Sequence, residues 1–196
     1  MKETILIITF LSIVLIFIFI HASEVSFHEA FTGEHYLVRN LDDKDKAANT
    51  LANMKTKLKT LVEHTMKQCE NTTTDSSTFI KPYINTINNK FNFIIFREST
   101  DNSQFTSYSV NKGEEMIFCI KSRRNNEYHD INLLMYVAIH ELGHIACPEI
   151  GHTALYNDIF GFLLKKGIEL NIYNMDNYSV NPVEYCGMEV YSNILS

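Results

Sequence analysis

The chain has 196 residues and carries 23 acidic against 17 basic side chains, a formal charge of −6. That balance argues against a non-specific binder of nucleic acid or of anionic membrane, both of which reward net positive surface. A 45% hydrophobic and 12% aromatic content excludes a disordered chain, and the length fits one globular domain with an appendage.

The appendage comes first. Residues 5–20 read ILIITFLSIVLIFIFI, about 16 nearly all-apolar residues, near the lower limit of ~17–25 for a spanning helix. Lys2 lies on the N-terminal side, where positive charge favours the cytoplasm. We therefore expect residues 1–22 to be an uncleaved anchor of a single-pass membrane protein, with a cytoplasmic N-terminus and the remainder luminal or external. A cleaved signal peptide is the alternative, although Ile20 and Ala22 make a poor small-x-small cleavage site that Ser23 could assist.

Residues 23–78 read as a juxtamembrane stretch and a long amphipathic helix. His28 and His35 lack a ligand spacing and are ordinary polar residues. Over residues 41–68, Ala47, Leu51, Met54, Leu58, Leu61 and Thr65 recur at three- and four-residue steps, a helical period. Asp42, Asp43 and Asp45 sit at its start, where the helix dipole favours anions. Asn71-Thr72-Thr73 and Asn177-Tyr178-Ser179 are glycosylation sequons. A short helix over about 78–89 is expected to be interrupted early by Pro82.

Residues 79–196 contain the chemistry. FNFIIF over 91–96, the alternation over 105–110 and the return over 115–120 predict about three strands, with Asn111-Lys112-Gly113 as a turn. Asp130 is a candidate N-cap for the next helix. That helix contains His140-Glu141-Leu142-Gly143-His144. Residues four apart share a helix face, so His140 and His144 can present two imidazoles to one metal ion, with Glu141 beside them as general base. Val137, Ala138, Ile139, Leu142, Ile145 and Ala146 surround the motif without a charge, which marks a buried helix. Polar groups buried there are costly unless paired or metal-bound.

A catalytic zinc ion takes three protein ligands and leaves one position open. Pro148 pushes Cys147 out of the helical region, so the helix should end near Ala146 or Cys147. Gly151 permits a tight reversal, and His152 follows as the expected third ligand. Cys147, Glu149, Glu184 and Glu189 compete for that place. A second helix is expected over about 153–166, closed by Gly167.

HELGH followed by a short loop and Gly151-His152-Thr153-Ala154-Leu155-Tyr156 resembles the SprT-like and WLM metallopeptidases. Their pattern is HELxH, a short loop, then a His followed four residues later by an aromatic. His140, Glu141, His144, His152 and Tyr156 occupy those positions. The resemblance covers roughly residues 90–170 and implies a compact zinc protease domain with a small sheet beside the active-site helix. The run Asn181-Pro182-Val183-Glu184-Tyr185-Cys186-Gly187-Met188 also looks like a tail seen in membrane-anchored relatives from large DNA viruses. Those metallopeptidases mostly act on protein crosslinked to DNA through basic segments. Here the only Arg pair is Arg123-Arg124, so no nucleic-acid partner is expected.

The combined expectation is an α+β fold. An N-terminal transmembrane helix precedes a small zincin-like domain, with about three strands packed on helices that include the HELGH helix. Its function would be that of a membrane-anchored, zinc-dependent metallopeptidase acting on protein or peptide, bound to the membrane through residues 5–20. Glu141 would be catalytic, His140, His144 and His152 would hold Zn2+, and Tyr185 or Tyr156 would assist the oxyanion. The alternative is a non-catalytic viral envelope or membrane protein with a structural zinc site. A zinc amidase acting on something other than protein is a third possibility. The four cysteines permit three pairings; Cys147 with Cys186 and Cys69 with Cys119 are expected.

Overall fold

The structure, a computed structural model, describes residues 2–21, 24–71 and 74–195. The candidate cleavage site at Ala22 and Ser23 and most of the sequon at Asn71 lie outside the described residues. Helix α1, Lys2–His21, holds the apolar run. The hydroxyls of Thr9 and Ser12 donate back to the carbonyls of Ile5 and Ile8. Among the described residues, no helix is long and apolar enough to cross a membrane. This overturns the expected transmembrane helix and with it the single-pass topology and the membrane partner. The physical reason is length: sixteen apolar residues rise about 24 Å at ~1.5 Å each, short of a hydrocarbon core of ~30 Å.

The remainder is a mixed α+β fold. Strands β1 (Val25–Glu29) and β2 (His35–Arg39) form a hairpin, followed by helices α2 (Lys44–Asn71) and α3 (Asp75–Phe91). Strands β3 (Ile95–Glu98), β4 (Tyr108–Val110) and β5 (Glu115–Phe118) come next, then α4 (Ile131–Ala146) and α5 (Ala154–Glu169). A second hairpin, β6 (Val183–Tyr185) and β7 (Met188–Val190), closes the chain. The main sheet has five strands, not about three, in the order β1-β2-β3-β5-β4. β2, β3 and β5 are parallel neighbours, and β1 and β4 pair antiparallel on the two edges. The parallel pairing of β2 with β3 is made across the long α2–α3 connection, which is why local alternation in residues 25–39 did not reveal it.

The predicted stripe of α2 is the buried face: Ala47, Leu51, Met54, Leu58, Leu61 and Thr65 are all inside. Each fully buried leucine contributes roughly 1.5–3 kcal/mol. Helix α3 runs through Pro82 instead of stopping at it, and its N-cap, Thr74, accepts a bond from the Ser77 amide. Gly167 lies inside α5 rather than capping it. A Cβ there would meet Ile139 Cδ1 at 3.0 Å, so the glycine admits α4 close against α5.

The disulfide joins Cys119 to Cys186, with Cα atoms 6.3 Å apart, while Cys69 and Cys147 are free and buried. This corrects the expected pairings. Cys119 follows β5 and Cys186 forms the β6–β7 turn, so the bond ties the C-terminal hairpin to the sheet; Cys147 is instead the cap of α4.

Candidate metal centre

Helix α4 is set at both ends by local chemistry. The Asp130 carboxylate accepts from the Asn132 amide at 2.7 Å, capping the start. At the other end Cys147 is extended (φ −73°, ψ 127°), as the following Pro148 requires. Gly151 adopts φ +84°, a left-handed turn open to glycine at little cost, and the chain reverses so that His152 faces the helix.

The Nε2 atoms of His140, His144 and His152 lie 3.2 Å from one another in all three pairs. Three nitrogens so placed cannot all be satisfied by one another, because each neutral imidazole has one N–H and one lone pair. Three donors bound at ~2.0–2.1 Å to one tetrahedral zinc ion lie about 3.3–3.4 Å apart, so the triangle fits that ion. Burial, and then the neighbouring histidines, push the His140 imidazole down to about 3; burial, then His152 and Lys112, push His144 down to about 4. Both rings are thus held neutral, the form that binds a metal. Among the described residues, no thiol or carboxylate joins this group of ligating atoms. Of the competing residues, Cys147 is buried at the helix cap, Glu184 accepts from the Gly187 amide at 2.5 Å, and Glu189 lies opposite Glu184 in the hairpin register. Glu149 offers its backbone carbonyl to Lys112.

Glu141 is 6% exposed and accepts a bond from the backbone N–H of Ser109 on the edge strand β4. Burial raises its carboxyl to about 7, with the Ser109 bond acting in the opposite sense. Glu141 and the three histidines line one cavity of about 510 Å³, together with Ser107 and Ser109.

Two further residues hold the site. The Tyr156 hydroxyl donates to the His140 carbonyl at 3.2 Å, and its ring stacks on His144 with centroids 4.3 Å apart at 25°. Lys112 was missed by sequence reasoning. Its Nζ donates to the carbonyls of His144, Cys147 and Glu149 at 3.1, 2.8 and 2.8 Å. These carbonyls belong to the last turn of α4 and the loop to His152, where a helix leaves its acceptors unpaired and a cation is favoured. No signal in the sequence ties the turn that carries Lys112 to this helix end. The Tyr185 hydroxyl, buried and raised in pKa by that burial, pairs with the Ser107 hydroxyl at 2.5 Å.

Fold and site together define an α+β protein with a candidate three-histidine metal centre and an adjacent buried carboxylate. No family model matches the chain. It is 38% identical over 174 residues to an uncharacterized protein of Acanthamoeba polyphaga mimivirus, covering 88% of this chain and 86% of that relative. The chain belongs to the same family as that viral protein. Uncharacterized proteins of Invertebrate iridescent virus 6 and Invertebrate iridescent virus 3 are 36% and 38% identical over 70 and 68 residues. Those matches cover 35% of this chain and 39% and 42% of the two relatives. Among solved structures, Wss1 from Saccharomyces cerevisiae aligns at 15% identity over 50% of this chain and 81% of that one, with a TM-score of 0.36. At that score the likeness carries no argument about function.

Proposed function

We propose that this protein is a zinc-dependent metallopeptidase that hydrolyses peptide bonds. The observation that carries the reading is the triangle of Nε2 atoms at 3.2 Å, with Glu141 lining the same cavity. His140, His144 and His152 would hold the ion. Zinc, when bound, supplies Lewis acidity and brings the acidity of water to near neutrality. Glu141 takes a proton from the attacking water and returns it to the leaving amine. The Ser109 amide orients that carboxylate. The Tyr156 hydroxyl is committed to the His140 carbonyl and the buried Tyr185 hydroxyl to Ser107, so of these hydroxyl residues Ser107 is the one on the cavity lining. Strand β4 is a sheet edge lining the cavity, and an extended peptide can add to such an edge through main-chain bonds with little sequence demand.

The competing reading, a zinc-stabilised protein without catalysis, is disfavoured by the cavity. Structural zinc sites are closed, whereas catalytic sites keep an open position. A structural ion also gives no reason to bury Glu141. The test is peptide turnover by purified protein and by Glu141→Gln at equal zinc content. A loss on the order of 10²–10⁴ is expected. Unchanged turnover, or none in either protein against an unbiased peptide library, would sink the proposal.

A further inference from the structure

Three ligating side chains also meet at a second place, on a different set of elements. Cys119 follows β5, His129 precedes α4, and Cys186 forms the turn of the C-terminal hairpin. Their Sγ and Nε2 atoms all lie within 4.8 Å of one another, and His129 Nε2 is 3.3 Å from Cys186 Sγ. Both sulfurs are buried and His129 is half-buried. The disulfide uses two of the three donors and leaves the imidazole against a sulfur, with the Cys186 amide as the one hydrogen-bond donor to Nε2 among the described residues, at 3.3 Å.

We propose that Cys119, His129 and Cys186 form a redox-exchangeable site for a soft divalent cation of the zinc class. When oxidised it is the disulfide; when reduced it is a metal site with two thiolates and one imidazole. The donor set suits such an ion, since thiolate and imidazole are its preferred partners. An access route exists. His129 lines a cavity of about 350 Å³ whose walls also include Glu127, Asp130, Asp176 and Glu184, and a cleft lined by one sign of charge concentrates the opposite ion. Cys186 has φ +51° and Gly187 φ +89°, so the turn presents its sulfur inward at a backbone conformation costly for a residue with a Cβ.

The exchange balances. A low-molecular-weight dithiol supplies two electrons and two protons; the S–S bond breaks, two cysteine thiols form, and the dithiol leaves as its own disulfide. Binding the cation then forms two metal–sulfur bonds and releases the two thiol protons to water.

Cobalt(II) titration of the full chain provides the test, because cobalt–thiolate bonds give a charge-transfer absorption that cobalt–histidine bonds do not. Oxidised protein should bind about one cobalt per chain without that absorption. Protein reduced with dithiothreitol, then freed of it anaerobically, should bind about two and show it. Replacing the free thiols, Cys69→Ala and Cys147→Ala, should leave the absorption; Cys186→Ser should remove it, and His129→Gln should weaken the second binding at least about tenfold. A reduced wild-type protein with one cobalt and no absorption would overturn the proposal, even if Cys186→Ser failed to fold. So would an absorption that survives Cys186→Ser or vanishes with the free thiols. His140→Ala, read beside these, removes the first cobalt only, so failure of the histidine centre and failure of this site are distinguishable.

Discussion

Around Glu98 the protein buries several charged side chains, whereas around His140 it sets two half-buried imidazoles and one exposed one beside a buried carboxyl, and the two groups are satisfied by different means. The Glu98 carboxylate, on β3, accepts from Arg39 Nε at 2.9 Å and from the Arg39 amide at 2.8 Å, and Lys121 Nζ lies 3.8 Å away. Arg39 also reaches Asp101, and Lys121 donates to Asp43 at 2.7 Å. Each charge there has a partner supplied by the chain, and the cluster binds β2, β3, the start of α2 and the segment after β5 into one unit. At His140 no such partner is built. Three imidazoles converge, a buried carboxyl stands beside them without an ion-pair partner among the described residues, and a cavity opens beside them. A self-satisfied cluster holds a fold; an unsatisfied one facing a cavity is arranged for something brought in.

Replacing one carboxylate by an amide in each region should therefore have opposite consequences. Glu98→Gln leaves two buried cations short of their shared anion, and we expect a loss of about 3–5 kcal/mol in chemical denaturation. Glu141→Gln should leave stability unchanged or raised, since it removes a carboxylate that pays for burial without an ion partner. If the two variants were equally destabilised, the contrast would fail.

Smaller effects sharpen the account of how the histidines are held. Lys112→Met strips the donor from three carbonyls and should cost about 1–3 kcal/mol. It should also weaken zinc affinity, measured by chelator competition, by a factor on the order of 10–100. Unaltered affinity would show that the loop to His152 holds itself. Tyr156→Phe removes one hydrogen bond and keeps the stack on His144, so a loss of about 1 kcal/mol is expected, with zinc retained. A larger loss, with zinc gone, would give the hydroxyl a role the geometry does not.

What was legible in the sequence was local. The HELGH spacing, the apolar residues around it, the Asp130 cap and the stop at Pro148 all act within a few residues, and the short loop through Gly151 limited where His152 could go. The stripe of α2 was legible for the same reason. Pairings made across long connections were not. β1 and β2 join the sheet through a parallel partner beyond two helices, and Cys119 meets Cys186 across 67 residues. Lys112 sits in a turn whose residue types foretold the turn but not the helix end it would cap. The apolar run at the N-terminus misled because its length sits at the margin for a span of ~17–25 residues: its sixteen residues are hydrophobic enough, and too few.

Metal analysis of the oxidised protein tests the central claim most directly, since oxidation closes the cysteine site. Protein prepared with zinc and dialysed against metal-free buffer should retain about one zinc per chain, and His140→Ala, His144→Ala and His152→Ala should each lose it while remaining folded. Zinc retained at wild-type stoichiometry in all three variants, or absent from the wild type, would contradict the account.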